Sequence, residues 1–572
     1  MIKLSDEQRA IIEAPLEPMS VLACAGSGKT ATAVHRLVEI RKRLGNHRGR
    51  VALLSFSNVA VETFRKNYRM LTQHMAKSVG RDRIEIDTMD GFITGNVLRP
   101  HAHRTMCASK AAFLVTGGES FLGGFKIWPG KFPVCITNMQ VGVRENSVNF
   151  YCTNNNQRID LDSVEAMRVV DRLGKTGAYT HSLGRYWCLR VLKEQPVILR
   201  ALARRYPHIL IDESQDIGTF HQAILEHLVD GGSQVSLIGD PHQSIYEFAG
   251  ADGSFLSEYA QQPDVNHYGL TCNYRSVPTI LGIANKLSGR GDTADRPAPE
   301  TSHGAFIVTY KKIEVEQIID EFQEAVLAAG LSLERSAVLC RGRDFADRLG
   351  GTDSVVGQGL VKRFAQAAIL RDKLGDYLEA FKSVAACIIG LLEQPPQSLL
   401  AMLTQPACFP EVKPLRRIIW GFTRNADTGL PMASQTADLE WHPKLLARVK
   451  SLMAEIQQKC DLKPVERLGN KLKKTGLPNA PLIQNVGPNH IQKARIKIAT
   501  VHQVKGESLD AVLYLATKEH ASALLAGINT EVGRIGYVAI TRARNLLWLG
   551  VPVNSIEELR PALIDCGFQE QK

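Results

Sequence analysis

The stretch ACAGSGKT at residues 23–30 has the residue types and spacing of a loop that binds phosphate. An apolar, strand-like run precedes the loop, and residues 29–40 carry the 3.6-residue apolar spacing of a helix. The unpaired backbone N–H groups and the dipole at such a helix start bind anions. An ordinary glycine-rich turn is the alternative, and Ala23 stands where the usual pattern begins with glycine. The flanking strand and helix favour a phosphate-binding P-loop.

Five consecutive residues of this loop supply what phosphate binding requires. Gly26 and Gly28, with Ser27 between them, allow the backbone to approach the phosphates closely. Lys29 can reach the β and γ phosphates, and the Thr30 hydroxyl can ligate Mg²⁺. The loop therefore predicts a nucleotide site with Mg²⁺, but it does not define which kind of P-loop protein this is.

A second strand-like run, residues 207–216, ends in acidic side chains. Ligands of parallel α/β sheets bind at the carboxyl ends of the strands, so Asp212 and Glu213 would lie beside the P-loop. Asp212 would then hold Mg²⁺, directly or through water, and Glu213 would orient or deprotonate the attacking water. An exposed acidic turn after a buried strand is the other interpretation of these residues.

A third strand-like run, residues 235–240, is followed by polar and aromatic side chains. Gln243 lies just past the strand end, where it could contact a γ-phosphate. Tyr246 and Phe248 supply aromatic faces of the kind that stack on bases when single strands are bound without sequence preference. Taken alone, two aromatic residues near a strand more often belong to a core.

The composition indicates a globular protein of about three or four domains. The chain has 572 residues, 44% hydrophobic and 22% charged, and contains no apolar run long enough to cross a membrane. Its charged N-terminus differs from a signal peptide, so we expect a cytoplasmic protein without a membrane partner. The 11 scattered cysteines indicate neither a disulfide framework nor a zinc site.

The net charge of +11 suits a polyanionic partner. Lys and Arg total 69 against 58 Asp and Glu. Basic side chains bind nucleic acid largely by displacing its counterions. A basic solvated surface would give the same count, so charge favours nucleic acid without establishing it.

Several segments resemble, in order and spacing, the motifs of UvrD/Rep-type superfamily 1A DNA helicases. The matching strings are ACAGSGKT, LIDESQD, GDPHQSIYEFAGA, LTCNYRS at 270–276, IATVHQVKGESLDAV at 498–512 and YVAITRAR at 537–544. LSDEQRAII at 4–12 looks like the family's N-terminal glutamine motif, and LLSFSNVAVETF at 53–64 like a DNA-contacting segment. The resemblance covers nearly the whole chain and implies an ATP-dependent DNA helicase.

The resemblance implies roles for further nucleotide-site residues. Gln8 would contact the adenine edge, Tyr274 would stack on the base, and Arg275 and Arg542 would reach the γ-phosphate from the second lobe. Arginines that arrive only when the cleft closes would couple hydrolysis to domain motion. The other interpretation of these two arginines is a pair of surface salt bridges.

By the same resemblance, six residues would contact single-stranded or tailed duplex DNA. They are Phe56, Tyr246 and Phe248 as stacking residues, with Asn58, Thr88 and His502 nearer the DNA backbone. Apolar packing explains any single Phe equally well.

The sequence departs from the family pattern at several positions. Ala31 and Ala249 stand where arginine is usual. Asp90 stands where histidine is common, and a carboxylate facing a DNA phosphate would repel it unless it points elsewhere. Ser508 occupies the position of the ribose-binding glutamate, for which Glu507, one residue earlier, could substitute.

Two strings, TMDGFI and VKGESLDA, resemble a narrower branch, the UvrD-like helicases encoded beside OLD-type nucleases in Gabija-like phage-defence systems. That branch would imply an OLD-type partner nuclease and a role in antiviral defence, with DNA repair as the other pathway. The family implies 3′ to 5′ movement on single-stranded DNA. Two alternatives are an ATPase subunit that senses nucleotide or DNA and regulates a nuclease, and a small-molecule kinase. The paired arginine motifs argue against the kinase.

The strand-like runs predict an α/β fold of two RecA-like lobes with parallel sheets, each with an inserted, mainly helical subdomain. The expected strands of the first lobe are 20–24, 51–55, 208–211 and 235–238, and those of the second are 306–310, 337–340, 495–501, 510–517 and 546–551. The expected segments are 1–94 and 186–264 for the first lobe, 95–185 for its insertion, 265–345 and 488–572 for the second lobe, and 346–487 for a compact second insertion.

Overall fold

Two six-stranded sheets organise the computed structural model, and every strand pair within each sheet is parallel. The residues described are 4–73, 83–115, 117, 119–130, 132–144, 147–154, 157–247, 250–298, 303–311, 314–342, 345–346, 357–373, 375–396, 399–404, 409–483 and 496–571. The predicted α/β fold with two parallel sheets is confirmed.

The strands of the first sheet are, in spatial order, Asn266–Leu270, Met19–Ala23, Gln234–Gly239, His208–Asp212, Val51–Ser55 and Ile84–Thr88. The two interior strands that begin at His208 and Val51 are buried along their whole length, because helices cover both faces. The first-lobe helices are Asp6–Glu13, Lys29–Leu44, Asn58–Thr72, Met89–Ile93, Pro196–Arg205, Thr219–Asp230 and Ser254–Tyr259.

One expected boundary differs from the structure. The strand Asn266–Leu270 pairs in parallel with Met19–Ala23, so the first sheet continues beyond residue 264, where we placed the end of the lobe. This strand lies at the edge of the sheet and only its last residue is buried. Its sequence therefore has no continuous apolar run that would indicate which sheet it joins.

The first insertion combines helices with short strands, most of them antiparallel, whereas we expected a mainly helical segment. Its helical parts are the π-helical Thr94–Ala102 and the α-helices His103–Thr105, Ser163–Gly174 and His181–Glu194. Its strands are Phe113–Leu114, Lys126–Ile127, Val134–Cys135, Gln140–Arg144, Ser147–Asn154, Gln157–Asp160 and Ala178–Tyr179. Val141 and Phe150 from the three-stranded sheet join the same hydrophobic core as first-lobe residues, so the insertion is packed onto the lobe.

The strands of the second sheet are, in spatial order, Lys497–Thr500, Ala337–Cys340, Leu509–Leu515, Ala543–Pro552, Gly304–Tyr310 and Gln569–Glu570. The helices of this lobe are Pro278–Ser288, Val315–Ala328, Lys518–Leu525, Glu531–Ile540 and Ile556–Cys566. The short parallel strands Cys272–Asn273 and Thr293–Ala294 lie on either side of the helix Pro278–Ser288 in sequence, and Asn273 contacts Ala25 of the first lobe.

The second insertion is helical and has its own hydrophobic core. Its α-helices are Gly359–Asp372, Tyr377–Ile389, Leu399–Thr404, Lys413–Arg424, His442–Cys460 and Leu468–Lys471. The buried Arg371 donates hydrogen bonds to the carbonyls of Thr423, Leu430 and Pro431, which joins two of its segments. Within the described part of the chain, no helix combines the length and apolar character needed to span a membrane.

Candidate nucleotide and DNA site

The P-loop connects the strand Met19–Ala23 to the helix Lys29–Leu44, as the sequence predicts. Gly26 and Gly28 have φ of +75° and +80°, a region that favours glycine. A Cβ on Gly26 would lie 2.6 Å from the Cβ of Arg275. Gly26 is therefore also required because the other lobe approaches the loop too closely for a side chain. The loop is therefore shaped by both its own backbone and its neighbour.

A cavity of about 240 Å³ lies at the P-loop between the two lobes. Ten of the predicted nucleotide-site residues line it: Gly26, Ser27, Gly28, Lys29, Thr30, Glu213, Gln243, Tyr274, Arg275 and Arg542. Sequence reasoning missed three further lining residues, Gly506, Ser508 and Arg544. Their signal was present, because the first two lie in the string VKGES and the third ends YVAITRAR.

The residues around Tyr274 bind the P-loop through its backbone carbonyls. The Asn273 side-chain amide donates to Ala25 O at 2.5 Å, and Tyr274 N–H donates to Gly26 O at 3.0 Å. The Asn273 Oδ1 also accepts from the backbone N–H of Arg275 at 2.9 Å. These bonds hold the second-lobe residues Tyr274 and Arg275 at the nucleotide cavity.

Gln8 is buried and both ends of its amide are bonded within the protein. Its Oε1 accepts from Ser5 N–H at 3.0 Å in a helix capping box, and its Nε2 donates to Ser27 O at 3.2 Å. Gln8 does not line the nucleotide cavity but supports the P-loop from behind. Contact with adenine would use its second N–H and second lone pair.

Asp212 and Glu213 follow the buried strand His208–Asp212, as expected. Glu213 has φ of +55°, an uncommon conformation for a residue with a side chain, and this turn directs it into the nucleotide cavity. Burial acts to raise the pKa of Glu213, but the charges of Lys29 and Lys505 outweigh burial and lower it. Glu213 is therefore a carboxylate at neutral pH, as a general base must be.

Asp212 fits the role of a magnesium ligand. Its side chain is buried, and its Oδ1 has no hydrogen-bond partner among the described residues. Burial and the neighbouring Glu213 charge raise the pKa of Asp212, which a bound cation would reverse. Thr30 lies with Asp212 on the wall of a single cavity, so the residues present could hold Mg²⁺ there.

Gln243 joins the first lobe to the arginine of the second. Its Nε2 donates to the buried Asp240 carboxylate at 2.6 Å, which fixes the amide orientation. Its Oε1 accepts from Arg542 Nη2 at 2.6 Å. Arg542 is buried and also donates to Val538 O, so neither arginine nor glutamine is a surface side chain.

A second cavity, of about 470 Å³, adjoins the nucleotide cavity, and we call it the strand cavity. Thr30, Glu213 and Gly506 line both. Three of the predicted DNA residues, Phe56, Tyr246 and His502, line the strand cavity. Their convergence from segments far apart in sequence is the geometry that a shared ligand would require.

Two of the other predicted DNA residues, Asn58 and Thr88, do not line the strand cavity. Asn58 is exposed at the start of the helix Asn58–Thr72. The Thr88 hydroxyl accepts from Gly91 N–H at 2.9 Å and caps the short helix Met89–Ile93. Phe248, like the Ala249 departure, lies outside the described residues.

Asp90 points toward two basic side chains of the wall. Arg185 Nε and Nη2 donate to its two oxygens at 2.9 and 2.7 Å, and His221 Nε2 lies 3.2 Å from Oδ1. Burial acts to raise the pKa of Asp90, but the hydrogen bonds from Arg185 and His221 outweigh burial and hold the pKa well below its usual range. The expected conflict between Asp90 and DNA phosphate is thereby removed, because the carboxylate charge is compensated.

A buried ion pair connects the lobes at the strand cavity, which both of its residues line. Lys505 of the second lobe donates to both oxygens of Asp216 at 2.5 and 2.7 Å and to Gln243 O at 2.9 Å. Only 8% of the Lys505 side chain and 5% of the Asp216 side chain are exposed. The ammonium also lies 4.7 Å from the Tyr246 ring centre. Lys505 therefore contacts both Gln243, which lines the nucleotide cavity, and Tyr246, which lines the strand cavity.

Glu507 faces away from the nucleotide cavity. Its carboxylate accepts from Lys497 Nζ at 2.8 and 3.0 Å, and it lines the strand cavity instead. Ser508, the residue at the family's glutamate position, lines the nucleotide cavity. Ala31 follows Thr30 on the P-loop helix and does not line that cavity. This geometry favours Ser508 over Glu507 for a ribose contact.

Two family profiles match most of the chain. The profile of the UvrD/REP helicase N-terminal domain matches residues 4–128 and 152–264, and that of the UvrD-like helicase C-terminal domain matches residues 363–553. These ranges include the P-loop, Glu213, Gln243 and Arg542, whereas Tyr274 and Arg275 lie between the two matched segments.

Individual relatives are distant but extend over long segments. YjcD of Bacillus subtilis is 23% identical over 96% of this chain and 79% of its own length. The ATP-dependent DNA helicase UvrD2 of Mycobacterium tuberculosis is 21% identical over 95% of this chain and 77% of its own length. DNA helicase II of Escherichia coli is 28% identical over 50% of this chain and 40% of its own length.

Proposed function

This chain belongs to the UvrD/Rep family of superfamily 1A DNA helicases, and from that premise we propose that it moves 3′ to 5′ along single-stranded DNA by ATP hydrolysis between its lobes. The observation that carries the proposal is the adjoining pair of cavities. The nucleotide cavity and the strand cavity share Thr30, Glu213 and Gly506, so a change at one alters the wall of the other.

The P-loop binds the triphosphate in this proposal. Backbone N–H groups at the start of the helix Lys29–Leu44 face the phosphates, and Lys29 neutralises the β and γ groups. Tyr274 lies on the wall of the same cavity and stacks on the base. Thr30 and Asp212 would hold Mg²⁺, which would neutralise charge on the phosphate oxygens.

Glu213 receives the proton of the attacking water. Its lowered pKa keeps it ionised, and Gln215 Nε2 donates to its Oε2 at 2.5 Å, which leaves Oε1 for the water. Gln215 is itself fixed because its Oε1 accepts from Asp240 N–H at 3.0 Å. The carboxylate is thus held in one orientation before the nucleotide reacts.

Arg275 and Arg542 stabilise the negative charge that develops on the γ-phosphate. Arg275 Nη1 donates to Thr541 O at 2.9 Å, while its buried Nε has no partner among the described residues. Arg275 lines the nucleotide cavity, where its guanidinium would donate to a phosphate oxygen. Both arginines come from the second lobe, so full stabilisation requires the lobes to be together.

Movement follows from alternating grip by the two lobes. Phe56 from the first lobe and His502 from the second line the strand cavity, and the Tyr246 ring lies 5.7 Å from that of His502. Hydrolysis changes the contacts of Gln243 with Arg542 and of Asp216 with Lys505, which span the lobes. The strand is therefore released by one lobe while the other holds it.

Strand displacement tests the direction and the activity together. Purified protein with ATP and Mg²⁺ is given duplexes with a 3′ tail, with a 5′ tail or with blunt ends. Displacement of the 3′-tailed substrate alone supports the proposal. Displacement of the 5′-tailed substrate alone contradicts the direction, and none on any substrate contradicts unwinding.

A second candidate is an ATPase subunit that regulates an OLD-type partner nuclease in antiviral defence rather than repair. The observation in its favour is that two departures from the family pattern, Asp90 and Ser508, lie on the walls of the two cavities. Repeating the displacement assay with and without such a nuclease separates the candidates. Nuclease activity that responds to ATP without displacement supports the regulatory subunit.

A further inference from the structure

One wall of the strand cavity is formed by three side chains that the mechanism above does not use. Arg185, Asp90 and His221 all line this cavity, and Phe56 is their neighbour. Arg185 comes from the first insertion, Asp90 from the helix after the strand Ile84–Thr88, and His221 from the helix Thr219–Asp230. The first lobe and its insertion therefore meet at this wall.

The position of Arg185 is fixed by the packing of its helix. A Cβ on Gly184 would lie 3.0 Å from the Tyr179 ring and 3.2 Å from Leu98, so the helix His181–Glu194 approaches its neighbours closely at this turn. Trp187, one turn later, is buried in the core. The guanidinium is thus presented by a rigid element rather than by a loop.

Asp90 then fixes the orientation of the guanidinium. The two oxygens of Asp90 accept from Nε and Nη2, the bidentate arrangement that holds an arginine in plane. Side-chain exposure is 31% for Arg185 and 37% for Asp90, so the pair faces the cavity rather than a sealed core. Within the described residues Nη1 has no hydrogen-bond partner, and this edge of the fork is open.

Lys505, the other cationic residue on the wall, donates all of its N–H groups to acceptors within the protein. Lys505 has three N–H groups, and Asp216 and Gln243 O accept all of them. Burial lowers the pKa of both His221 and His502, so these rings are neutral at pH 7. Of the groups that line the strand cavity in the described ranges, Arg185 is the cation with donors available to a ligand.

We propose that Arg185, oriented by Asp90, binds a backbone phosphate of the single strand in the strand cavity. The inference rests on the proposed function and names a contact for it. The planar fork suits this task, because Asp90 occupies one edge and a phosphate oxygen can occupy the other. His221 completes the arrangement by contacting both Asp90 and the Phe56 ring, whose centre lies 5.3 Å from its own.

The arrangement joins phosphate binding to base stacking. Arg185 would hold the DNA backbone while Phe56, positioned through His221, contacts a base, so the two contacts share one rigid support. Asp90 acts here as a positioning residue. It compensates charge and sets geometry without itself contacting the phosphate.

A charge-neutral pair replacement tests the proposal. Arg185→Ala alone would leave Asp90 unpaired near the strand and weaken binding by repulsion, so its result would be ambiguous. The double variant Asp90→Asn with Arg185→Gln removes the contact without changing net charge. The matched control is Asp171→Asn with Arg190→Gln. It removes a pair between Arg190, on the same helix as Arg185, and Asp171 of the helix Ser163–Gly174, and neither residue lines the cavity.

Binding of a fluorescent oligothymidylate is measured by anisotropy over a range of salt concentrations, with thermal unfolding as the check of folding. We expect the double variant to bind about tenfold more weakly than the wild type. Its slope of log affinity against log salt should be shallower by about 0.7, the value for one phosphate contact on a single strand. The control pair should bind like the wild type.

The outcomes separate this inference from the proposed function. The role of Arg185 is overturned if the folded double variant binds the oligonucleotide with the affinity and the salt dependence of the wild type. Equal weakening in the control pair also overturns it, because the loss would then be a general effect of the insertion. Absence of single-strand binding by the wild type contradicts the proposed function itself.

Discussion

At the scale of single residues, the proposed chemistry depends on Glu213 and Arg542. Glu213 is ionised despite burial because Lys29 and Lys505 oppose the burial effect on its pKa. Arg542 donates a hydrogen bond to Gln243, so its position depends on the position of the first lobe. Each residue therefore combines a chemical group with a contact that orients it.

Glu213→Gln should abolish DNA-stimulated ATP hydrolysis and leave ATP binding intact. The amide keeps the shape of the side chain but cannot accept the proton of the attacking water, so kcat should fall by about 100-fold or more. Steady-state hydrolysis and binding of a fluorescent nucleotide measure the two properties. Glu258→Gln, on an exposed glutamate of the same lobe, is the control. Wild-type turnover in the Glu213 variant would remove it from the mechanism.

Arg542→Lys should lower kcat by about 1000-fold with little change in the KM for ATP. Lysine keeps the charge but has no planar fork with which to contact Gln243 and a phosphate together. Initial rates over a range of ATP concentrations separate kcat from KM. Arg560→Lys, on the outside of the second lobe, should behave like the wild type. A change confined to KM would indicate a binding role only.

At the scale of elements, the P-loop is shaped by its neighbours as well as by its own glycines. Gly26 combines a positive φ with an approach of 2.6 Å between a Cβ at that position and Arg275. A substitution there changes the loop and the interlobe contact at once. Gly289 has a similar φ of +69° but nothing within 4 Å of a Cβ, which makes it a test of backbone strain alone.

Gly26→Ala should therefore weaken ATP binding and hydrolysis strongly, whereas Gly289→Ala should cost only about 1 kcal/mol of stability. The first change displaces Arg275 from the cavity, and the second ends a surface helix less favourably. Nucleotide titrations and thermal unfolding of both variants give the comparison. Equal effects on ATP binding would mean that strain, and not the contact with Arg275, is responsible.

A buried histidine at the start of a central strand should make the first lobe sensitive to acid. Burial and the nearby Arg36 lower the pKa of His208 to about 4, below its ordinary value of about 6.5. Between these values the unfolded chain takes up a proton that the folded chain does not. The contribution of the neutral His208 to the free energy of unfolding is therefore fully present above pH 6.5 and is lost as the pH falls toward 4.

Replacing His208 by Gln should reduce this acid sensitivity. When the pH is lowered from 7.5 to 5, the free energy of unfolding of the wild type should fall by about 2 kcal/mol more than that of the variant. Urea titrations at the two pH values, read by tryptophan fluorescence, measure it. An identical difference at both pH values would show that His208 is not the responsible group.

The elements were predictable where a strand is apolar and central, and less so at edges. The runs that contain the P-loop and the acidic pair correspond to strands because buried parallel strands are continuously apolar. Asn266–Leu270 was assigned to the wrong lobe, since an edge strand shows no such pattern. The short strands of the first insertion were missed because hairpins of two to eight residues give little periodicity.

Site residues were predictable where they lie within short motifs and not where partners are distant in sequence. The P-loop, Glu213, Gln243 and Arg542 were identified from local strings and meet at one cavity. The pairing of Asp90 with Arg185 joins residues 95 positions apart, a relation that spacing does not encode. The doubt about Asp90 arose for this reason, because its compensating charge comes from the insertion.

At the scale of the whole molecule, coupling depends on contacts between the lobes. The Lys505–Asp216 pair is buried, joins the lobes and lies on the wall of the strand cavity. Lys505→Met should remove the link and leave Asp216 uncompensated, so single-stranded DNA should stimulate hydrolysis much less than in the wild type. Hydrolysis rates with and without DNA measure the ratio. Lys518→Met, which breaks an exposed pair in the same lobe, should leave the ratio unchanged.

The same contacts explain why hydrolysis should respond to DNA. A strand in contact with Phe56, Tyr246 and His502 lies against a wall that Glu213 shares, and Lys505 contacts the segments on both sides. Binding at the strand cavity therefore favours the lobe arrangement that completes the nucleotide cavity.

ATP hydrolysis by the purified protein without DNA, with single strands and with 3′-tailed duplex, at low and moderate salt, tests this coupling most directly. The account predicts slow hydrolysis without DNA and strong stimulation by single strands, weaker at higher salt because phosphate contacts are screened. Hydrolysis that is the same with and without DNA would contradict coupling between the two cavities.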